Sequence, residues 1–429
     1  MDKRIIVVIA AAVVVIAAVA AFFVINGDQS TTRSGENSDY GDETLYKGVM
    51  SIYGNADMNT VIDDRDVAFV KNIVSKKTTW NQAQNPFADA NCDGVITQED
   101  VDLIENLVKR VDGTQVRFVD GNKQISTATL PMKTIVMSGT NGPALMCLAI
   151  GFKNTEVLMM DGKGTPYNNM TGVKTATISL DDYDAVTSAG IPDAIIYNNY
   201  SDDNLTADQI AKYKKAGIVL MPSPSMEGAD IGDFALAVGY LFDKVENAQK
   251  FCNWCNNILD TIKNGASKVK ESDYPSVLWW YGGQAAAGTD SVYCQLLKDM
   301  AAKNVADWPG DYKVLNKDNC TWILDYDPDY VVRTVTFLGY DTDMSTFKPT
   351  FDTYGDMIKE LRAYKDNHYV FVAGGLPQIL REAYVVSYLH PDIFGADYGD
   401  KCHKELIEMY GIDYDVSQHP FRVDGTYWL

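Results

Sequence analysis

The stretch at 230–264 constrains the fold most, because its apolar residues recur at alternating steps of four and three. That spacing keeps one apolar stripe on a single helix face, and no proline interrupts it. The residues of the stripe are Phe234, Val238, Leu241, Val245, Ala248, Cys252, Cys255, Leu259 and Ile262. The pattern predicts one helix of about thirty residues, roughly 45 Å long. A rod of that length reaches from one lobe to another, so we interpret it as a bridging helix; an ordinary long surface helix is the alternative.

On both sides of this stretch, short apolar runs alternate with helical segments. The strand candidates lie at 133–137, 155–160, 194–197 and 217–221 before the helix, and at 276–280, 329–332 and 369–373 after it. Such alternation predicts mostly parallel sheets with helices on their faces. We therefore predict an α/β fold with two Rossmann-like lobes, 131–229 and 275–429, joined by the helix at 230–264. Ligands bind beyond the carboxyl ends of such strands, and two facing edges form a cleft.

Charge and cysteine content exclude two classes of function. The formal net charge of −21 argues against nucleic acid as a partner, because phosphates need cationic side chains. The seven cysteines show no disulfide framework. Cys252 and Cys255 form a C-x-x-C pair well inside the predicted helix and on its apolar stripe, so we predict core packing rather than redox chemistry.

The sequence of residues 1–26 predicts a segment that inserts into a membrane. Lys3 and Arg4 precede 21 uncharged residues, enough to span a bilayer, and these cations predict that the bulk of the chain lies outside. A signal peptide cut near Ala20 and an uncleaved anchor both fit. We favour the anchor, because the apolar run continues past Ala20, and we predict a cell-surface protein held at the cytoplasmic membrane. The polar stretch 27–46 predicts a flexible linker.

A duplicated acidic loop follows, in a small module at 47–112. The second copy, 89–100, places oxygen-bearing side chains at loop positions 1, 3, 5, 9 and 12, and Gly94 at position 6, where the chain must turn sharply. Calcium prefers such a ring of oxygen ligands. The predicted calcium ligands of this loop are Asp89, Asn91, Asp93, Val95 (through its carbonyl), Thr97 and Asp100.

The first copy lies 34 residues earlier and is less complete. It has asparagine at position 1 and Thr60 at position 6, so it carries less charge and turns less easily. Its predicted calcium ligands are Asn55, Asp57, Asn59, Val61, Asp63 and Asp66. We expect weaker calcium binding here. Matching apolar residues after both loops predict one amphipathic helix after each.

Because position 12 is aspartate and a helix only follows each loop, the module resembles type I dockerins, which are small α-helical, EF-hand-like domains. The resemblance implies docking to a cohesin-like protein. Use of the module as a spacer stays open.

Residues 131–429 resemble the periplasmic-binding proteins of iron-siderophore and cobalamin ABC importers. The matching pieces, in chain order, are the strand, turn and helix at 133–151, the strand entries at 191–196 and 327–332, the step at 215–220, and the His-Pro-Asp-Ile-Phe sequence at 390–394. The resemblance implies two lobes joined by one long helix. It also implies capture of a metal chelate (iron-siderophore, haem or cobamide) outside the cell and delivery to an importer permease.

Carried over by position at strand ends, the resemblance gives six ligand-binding candidates: Asn141, Tyr200, Ser223, Trp280, Tyr281 and Arg333. Aromatic rings suit a planar ligand, and Arg333 suits an anionic one. A packing role is the alternative for these residues. Trp279 and Trp280 are adjacent, so one of them faces the core. Arg333 equally suits an internal ion pair.

Two other functions are weighed against import. Bare-metal capture needs several histidines in the cleft, whereas all four histidines fall in the last lobe. The chain has none of the common nucleophile, zinc-protease or phosphate-loop motifs, so we predict no enzyme. The alternative to import is a membrane-tethered interaction protein that docks a cohesin-like partner through its calcium module.

Overall fold

The computed structural model describes residues 48–138, 142–161, 175–176, 179–198, 205–224, 231–281, 285–336, 338–340 and 342–428. The predicted membrane segment, the linker, and the candidates Asn141 and Tyr200 lie outside these ranges. Within them, no helix combines the length and the apolar character needed to cross a bilayer.

The module with the two acidic loops, called here the paired-loop module (47–112), has one helix after each loop, as predicted. These are α1 (Asp64–Val74) and α2 (Gln98–Val108). Both begin with a capping box, in which the residue at loop position 9 is the N-cap and the aspartate at position 12 caps it in return. The two helices pack through a small apolar core that includes Val67, Val70 and Ile104.

Between the module and the first lobe lies an antiparallel hairpin, β1 (Gln115–Val119) and β2 (Ile125–Thr129). It joins the module to the first lobe. On the module side, the Tyr53 amide donates to the Arg117 carbonyl at 2.9 Å, and on the lobe side the Gly121 amide donates to the Pro222 carbonyl at 2.9 Å.

The first lobe is a parallel sheet with the strand order β5-β4-β3-β6-β7 among the described residues. Its elements are β3 (Ile135–Met137), α3 (Gly142–Ala149), β4 (Val157–Asp161), β5 (Thr175–Ala176), α4 (Tyr183–Val186), β6 (Ala194–Asn198), α5 (Ala207–Lys215) and β7 (Val219–Ser223). The strands are short and mostly buried, as expected for a sheet covered on both faces.

The prediction of one helix over 230–264 is wrong. The structure has two helices, α6 (Ile231–Leu241) and α7 (Val245–Ala266), which fold back on each other. Asp243 takes a left-handed φ of 57°, and the Lys244 and Asp243 amides bond back to the Gly239 and Tyr240 carbonyls. This is a Schellman ending, and aspartate tolerates it better than most side chains.

The two helices differ in character on either side of that turn. α6 is buried from Phe234 to Leu241, whereas α7 is amphipathic. They pack so closely that a Cβ on Gly239 would lie 2.3 Å from the Cβ of Ala248. The apolar stripe therefore continues through the turn, but it belongs to two helices of an antiparallel pair.

The second lobe is a mixed sheet with the order β11-β9-β8-β12-β13-β14, and β10 also pairs with β8, all among the described residues. Its elements are β8 (Ser276–Tyr281), β9 (Ala285–Ala287), α8 (Val292–Asp299), β10 (Lys303–Asn304), β11 (Tyr312–Val314), β12 (Tyr330–Val335), α9 (Met344–Asp356), α10 (Arg362–Lys365), β13 (Tyr369–Ala373), α11 (Gln378–Leu389), α12 (Pro391–Phe394), α13 (Tyr398–Tyr410) and β14 (Arg422–Asp424). The central strands β8, β12 and β13 are parallel, and β9, β11 and β14 are antiparallel to their neighbours.

The bridging role falls to α7 alone, whose 22 residues extend about 33 Å. At its start, the Lys244 ammonium pairs with Glu156 of the first lobe at 2.9 Å. Further along, the Trp254 indole donates to the Cys402 carbonyl of the second lobe at 3.1 Å. Cys252 and Cys255 are buried on α7, and burial raises the pKa of Cys252 to about 12. Core packing is therefore confirmed for this pair.

Candidate functional site

The second acidic loop carries two buried carboxylates. Asp89 accepts hydrogen bonds from the Asp93 amide at 3.1 Å and the Gly94 amide at 2.8 Å. Asp100 accepts from the Asn91 amide at 3.3 Å and the Thr97 amide at 2.8 Å. Gly94 has a φ of 88°, the left-handed turn for which position 6 needs glycine.

These carboxylates carry negative charge in a place where burial opposes it. Burial, together with the nearby charge of Asp100, raises the pKa of Asp89 to about 6. Burial also raises the pKa of Asp100. Buried like charges are stabilised by a bound cation, so the electrostatics of this loop fit a cation site.

The remaining predicted ligands of the second loop lie nearer its surface. The Asn91 amide oxygen accepts from the Asp93 amide at 2.9 Å, and the Asp93 carboxylate accepts from the Val95 amide at 2.9 Å. The Thr97 hydroxyl accepts from the Glu99 amide at 3.1 Å, which caps α2. Position 9 of such loops often reaches the ion through water, and this capping role of Thr97 is compatible with that.

The first loop is built differently at its start. The Asn55 side-chain amide donates to the Met50 and Asn59 carbonyls, both at 2.7 Å, so it ties the backbone together. The Asn59 side-chain oxygen accepts from the Val61 amide at 2.7 Å. Thr60, at position 6, hydrogen-bonds outside the loop to Gln249 of α7 at 2.9 Å.

The acidic residues of the first loop still leave room for a cation. Asp57 has a buried carboxylate oxygen, Oδ1, that makes no hydrogen bond to a described residue. Burial raises the pKa of Asp66 to about 6. Asp63 is held instead by Arg65 at 2.9 Å, and this hydrogen bond lowers its pKa.

Across the described ranges, no group of three or more histidine, cysteine, aspartate or glutamate side chains is arranged to hold a metal ion. The buried carboxylates of Asp66, Asp89 and Asp100 accept hydrogen bonds from backbone amides instead. A cation would be held by carbonyl, amide and hydroxyl oxygens together with the carboxylates. The orphaned oxygen of Asp57 and the buried charges of Asp89 and Asp100 are the observations that fit one.

A second polar site lies at the carboxyl edge of the first sheet. Ser138, Asn198 and Ser223 are buried at the ends of three neighbouring strands. The Ser223 hydroxyl lies 3.5 Å from the Asn198 side-chain oxygen. The Ser138 hydroxyl is buried and makes no hydrogen bond to a described residue. Ser223 thus lies at the predicted edge, with two residues that the sequence analysis did not select.

Trp280 and Arg333 lie in the core of the second lobe, not on a cleft surface. Both are fully buried. The Arg333 guanidinium carbon is 3.9 Å from the centre of the Trp280 ring and 3.6 Å from that of Tyr354 on α9. The cause is register: Trp280, Arg333 and Phe371 are aligned on adjacent strands, so strand alternation points all three to the same covered face. Trp279 is buried on the opposite face.

Tyr281 is half-buried at the carboxyl end of β8, as predicted for a residue at this edge. Its ring lies 5.0 Å from that of Tyr293 on α8. The Tyr293 hydroxyl accepts a hydrogen bond from Nη1 of Arg381 at 3.3 Å. Tyr281 and Tyr293 therefore link the strand end to the first turns of α11.

Three buried polar residues at the start of α11 were missed by the sequence analysis: Gln378, Arg381 and Glu382. The Gln378 amide donates to Glu382 at 3.1 Å. Arg381 Nε and Gln378 Oε1 are buried and make no hydrogen bond to a described residue. Burial and the nearby charge of Asp299 raise the pKa of Glu382 to about 8. The available signal was Arg381 itself, which interrupts an apolar helix directly after a strand and two glycines.

Residues 53–109 match the dockerin type I domain family, whose members bind calcium. No curated protein matches the chain in sequence.

The α/β part has the fold of periplasmic solute-binding proteins. It is similar to a TroA-like periplasmic binding protein, FepB, from Veillonella parvula, with a TM-score of 0.60 and 16% identity over 72% of this chain and 99% of that one. It is similar to a periplasmic solute binding protein from the same organism, with a TM-score of 0.56 and 15% identity over 71% and 95%. It is also similar to the molybdate periplasmic binding protein MolA from Haemophilus influenzae, with a TM-score of 0.51 and 12% identity over 70% and 98%.

Proposed function

We propose that this protein is an extracytoplasmic substrate-binding protein, which captures an anionic metal chelate between its lobes and delivers it to an ABC importer permease. The cluster of Arg381, Tyr293 and Tyr281 carries the proposal. It combines a buried guanidinium, whose Nε makes no hydrogen bond to a described residue, with two aromatic rings at the edge where such folds bind ligands. Arginine suits carboxylate or oxyanion groups, and the rings suit a flat chelate.

The histidines favour a chelate over a bare metal ion. His368 stacks on Tyr330 with ring centres 4.2 Å apart, and His390 bonds to the Met300 carbonyl. His403 is buried between Tyr340 and Tyr384, and burial lowers its pKa to about 3. Each of these rings has a structural contact in the second lobe, and among the described residues none belongs to a group arranged to hold a metal ion.

Tryptophan fluorescence during titration of the purified chain tests the ligand class. Ferric citrate, a cobamide, molybdate and free zinc are the probes. Saturable quenching by one of the anionic or planar probes at micromolar concentration is the expected result. Saturable binding of zinc alone would favour bare-metal capture and would contradict the chelate proposal.

We further propose that both loops bind calcium, the second more tightly. The dockerin type I match and the buried acidic residues support this. Calcium bound only to the folded state stabilises it by about 2.7 kcal/mol at a hundredfold excess over Kd. Calorimetric titration should give two sites. Asp93→Ala should weaken the tighter one, and Asp57→Ala the weaker one, each by about tenfold. Unchanged calcium affinity in both variants would refute the loop assignment.

The N-terminal segment is proposed to hold the protein at the cytoplasmic membrane with its folded part outside. Fractionation of the native host tests this, because an uncleaved anchor keeps the full-length chain with the membrane in high salt. Release of a shortened chain would instead indicate a cleaved signal peptide.

A second candidate function is docking of a cohesin-like protein, which the dockerin type I match at 53–109 favours. Capture of a host protein by the purified chain, lost on adding chelator, is the result that would support it. It is compatible with import only if a small ligand also binds.

A further inference from the structure

The paired-loop module is in contact with the α/β domain at the end of α2. The Tyr240 hydroxyl on α6 donates to the Leu107 carbonyl in the last turn of α2 at 2.7 Å. Tyr240 is buried by this contact. The Leu107 carbonyl also accepts the Arg110 amide at 3.1 Å, so Tyr240 adds a second donor, from the α/β domain, at the end of α2.

Arg110, just after α2, makes the reciprocal contact. Its guanidinium donates to the carbonyls of Tyr240 and Leu241, the last residues of α6, and lies 5.0 Å from the centre of the Tyr240 ring. Its Nε also lies 3.4 Å from the Asp243 carboxylate in the turn. A cation at a helix C-terminus is favourable there, so each helix end is capped by a side chain from the other domain.

The first loop provides a second contact, on α7. The Gln249 side-chain amide donates to the Thr60 hydroxyl at 2.9 Å. Nearby, the Val49 amide donates to the Asp233 carboxylate at 3.0 Å. Thr60 occupies loop position 6, so the residue that makes the first loop irregular is also the one that contacts the bridging helix.

The apolar residues at this junction are shared between the two domains. Met50, Ile52, Leu107 and Phe118 are buried in the same continuous core as α6 and α7. The helix pair of the module has its own separate core. Separation of the module would expose these four side chains together with several buried polar groups.

We propose that the partner of the paired-loop module is its own α/β domain. The module docks on the turn between α6 and α7 through the first loop and the end of α2. The second loop, where Asp93 and Val95 are exposed, stays open to solvent. Since α7 joins the lobes, ordering of the first loop is transmitted through Thr60 and Gln249 to the bridging helix. This transmission, though not the docking itself, rests on the calcium binding proposed above.

Hydrogen exchange of the full chain, with calcium or with chelator, tests both parts. Docking predicts that Arg110→Ala speeds exchange about tenfold or more at the end of α6, even in chelator, because its capping donor is lost. Lys109→Ala, which removes an adjacent exposed cation, is the matched control and should leave α6 unchanged. An α6 that exchanges alike in both variants and the wild type would overturn the docking.

Transmission predicts that calcium slows exchange both in the first loop and in the segment 239–252. Gln249→Ala should keep the loop protection and lose that of α7, whereas Lys250→Ala should behave as the wild type. If calcium slows exchange in the loops of the wild type but not in 239–252, the transmission is overturned and the calcium assignment stands. Calcium that protects neither would refute the calcium assignment, while Arg110→Ala still decides the docking.

Discussion

The two lobes present different chemistry at the sheet edges where ligands bind. The first lobe offers small neutral groups: the hydroxyls of Ser138 and Ser223 and the amide of Asn198. The second offers a buried guanidinium, Arg381, and a buried carboxyl, Glu382. Neutral hydroxyls fix orientation at low cost, whereas a buried charge is expensive unless a ligand or neighbour compensates it.

Under the proposed function, this comparison places the selection of ligand charge in the second lobe. It also separates two arginines within that lobe. Arg333 lies between Trp280 and Tyr354 in the core, and Arg381 lies beside Tyr293 near the strand ends. We therefore assign packing to the first arginine and ligand binding to the second.

Loss of Trp280 should give the largest effect, and on stability alone. Trp280→Ala removes a fully buried indole, which typically costs about 3–5 kcal/mol of unfolding free energy. Denaturant melts followed by circular dichroism measure it. Trp322→Ala, a half-buried ring at the sheet edge, should cost less. If the Trp280→Ala chain has normal stability but no longer binds ligand, Trp280 is a ligand-binding residue and not a packing one.

Loss of Arg381 should have the next largest effect, and on ligand affinity. Arg381→Gln removes a charge-assisted contact to an anionic ligand, so affinity for the quenching probe should fall about a hundredfold. Arg362→Gln is the matched control, because Arg362 pairs with Asp329 at 2.8 Å before β12, at the opposite edge of the same sheet. Equal affinities in the two variants, both folded by circular dichroism, would contradict the assignment to the second lobe.

Glu382 should make the stability of the second lobe depend on pH. Its folded pKa of about 8 lies above the usual value, so the protonated form is favoured on folding. The stability it contributes is complete below about pH 4.5 and is lost as pH rises through 8, by about 1 kcal/mol per unit in that window. Denaturant melts at pH 5, 6, 7 and 8 should show that the difference in unfolding free energy between wild type and Glu382→Gln changes with pH by this slope. Parallel curves would mean that Glu382 is ionised in the folded chain.

Ser223→Ala should have the smallest effect. It removes one neutral hydroxyl from the first lobe, worth about 0.5–1.5 kcal/mol, so ligand affinity should fall only a few-fold. Ser276→Ala, at the amino edge of the second sheet, is the control. A loss as large as that of Arg381→Gln would remove the asymmetry between the lobes.

Much of the fold was predictable from residue patterns. The strands at β3, β6, β8 and β13 follow apolar runs bounded by polar turns, and both capping boxes follow from the loop spacing. The break in the helix at Asp243 was not predictable, because the four-and-three spacing persists through a turn when both helices face one core. The better signal was the change from the all-round apolar segment before Asp243 to the amphipathic one after it.

The site was less predictable, for a reason seen at Arg333. Strand position alone gave its place near the sheet edge, but which face it occupies depends on register with Trp280 and Phe371. Arg381 lies on a helix, where its nearness to Tyr293 arises only from tertiary packing. The docking of the module through Arg110 and Thr60 is likewise a long-range contact that no local pattern contains.

Native mass spectrometry with an absorbance spectrum, on the full chain purified from its own host without chelator, tests capture of a chelate most directly. We predict a bound small molecule, released on denaturation, that carries iron or cobalt and absorbs visible light. A chain that holds no small ligand, binds neither ferric citrate nor a cobamide, and retains a protein partner only with calcium would contradict it. Docking of a cohesin-like protein would then be the better account.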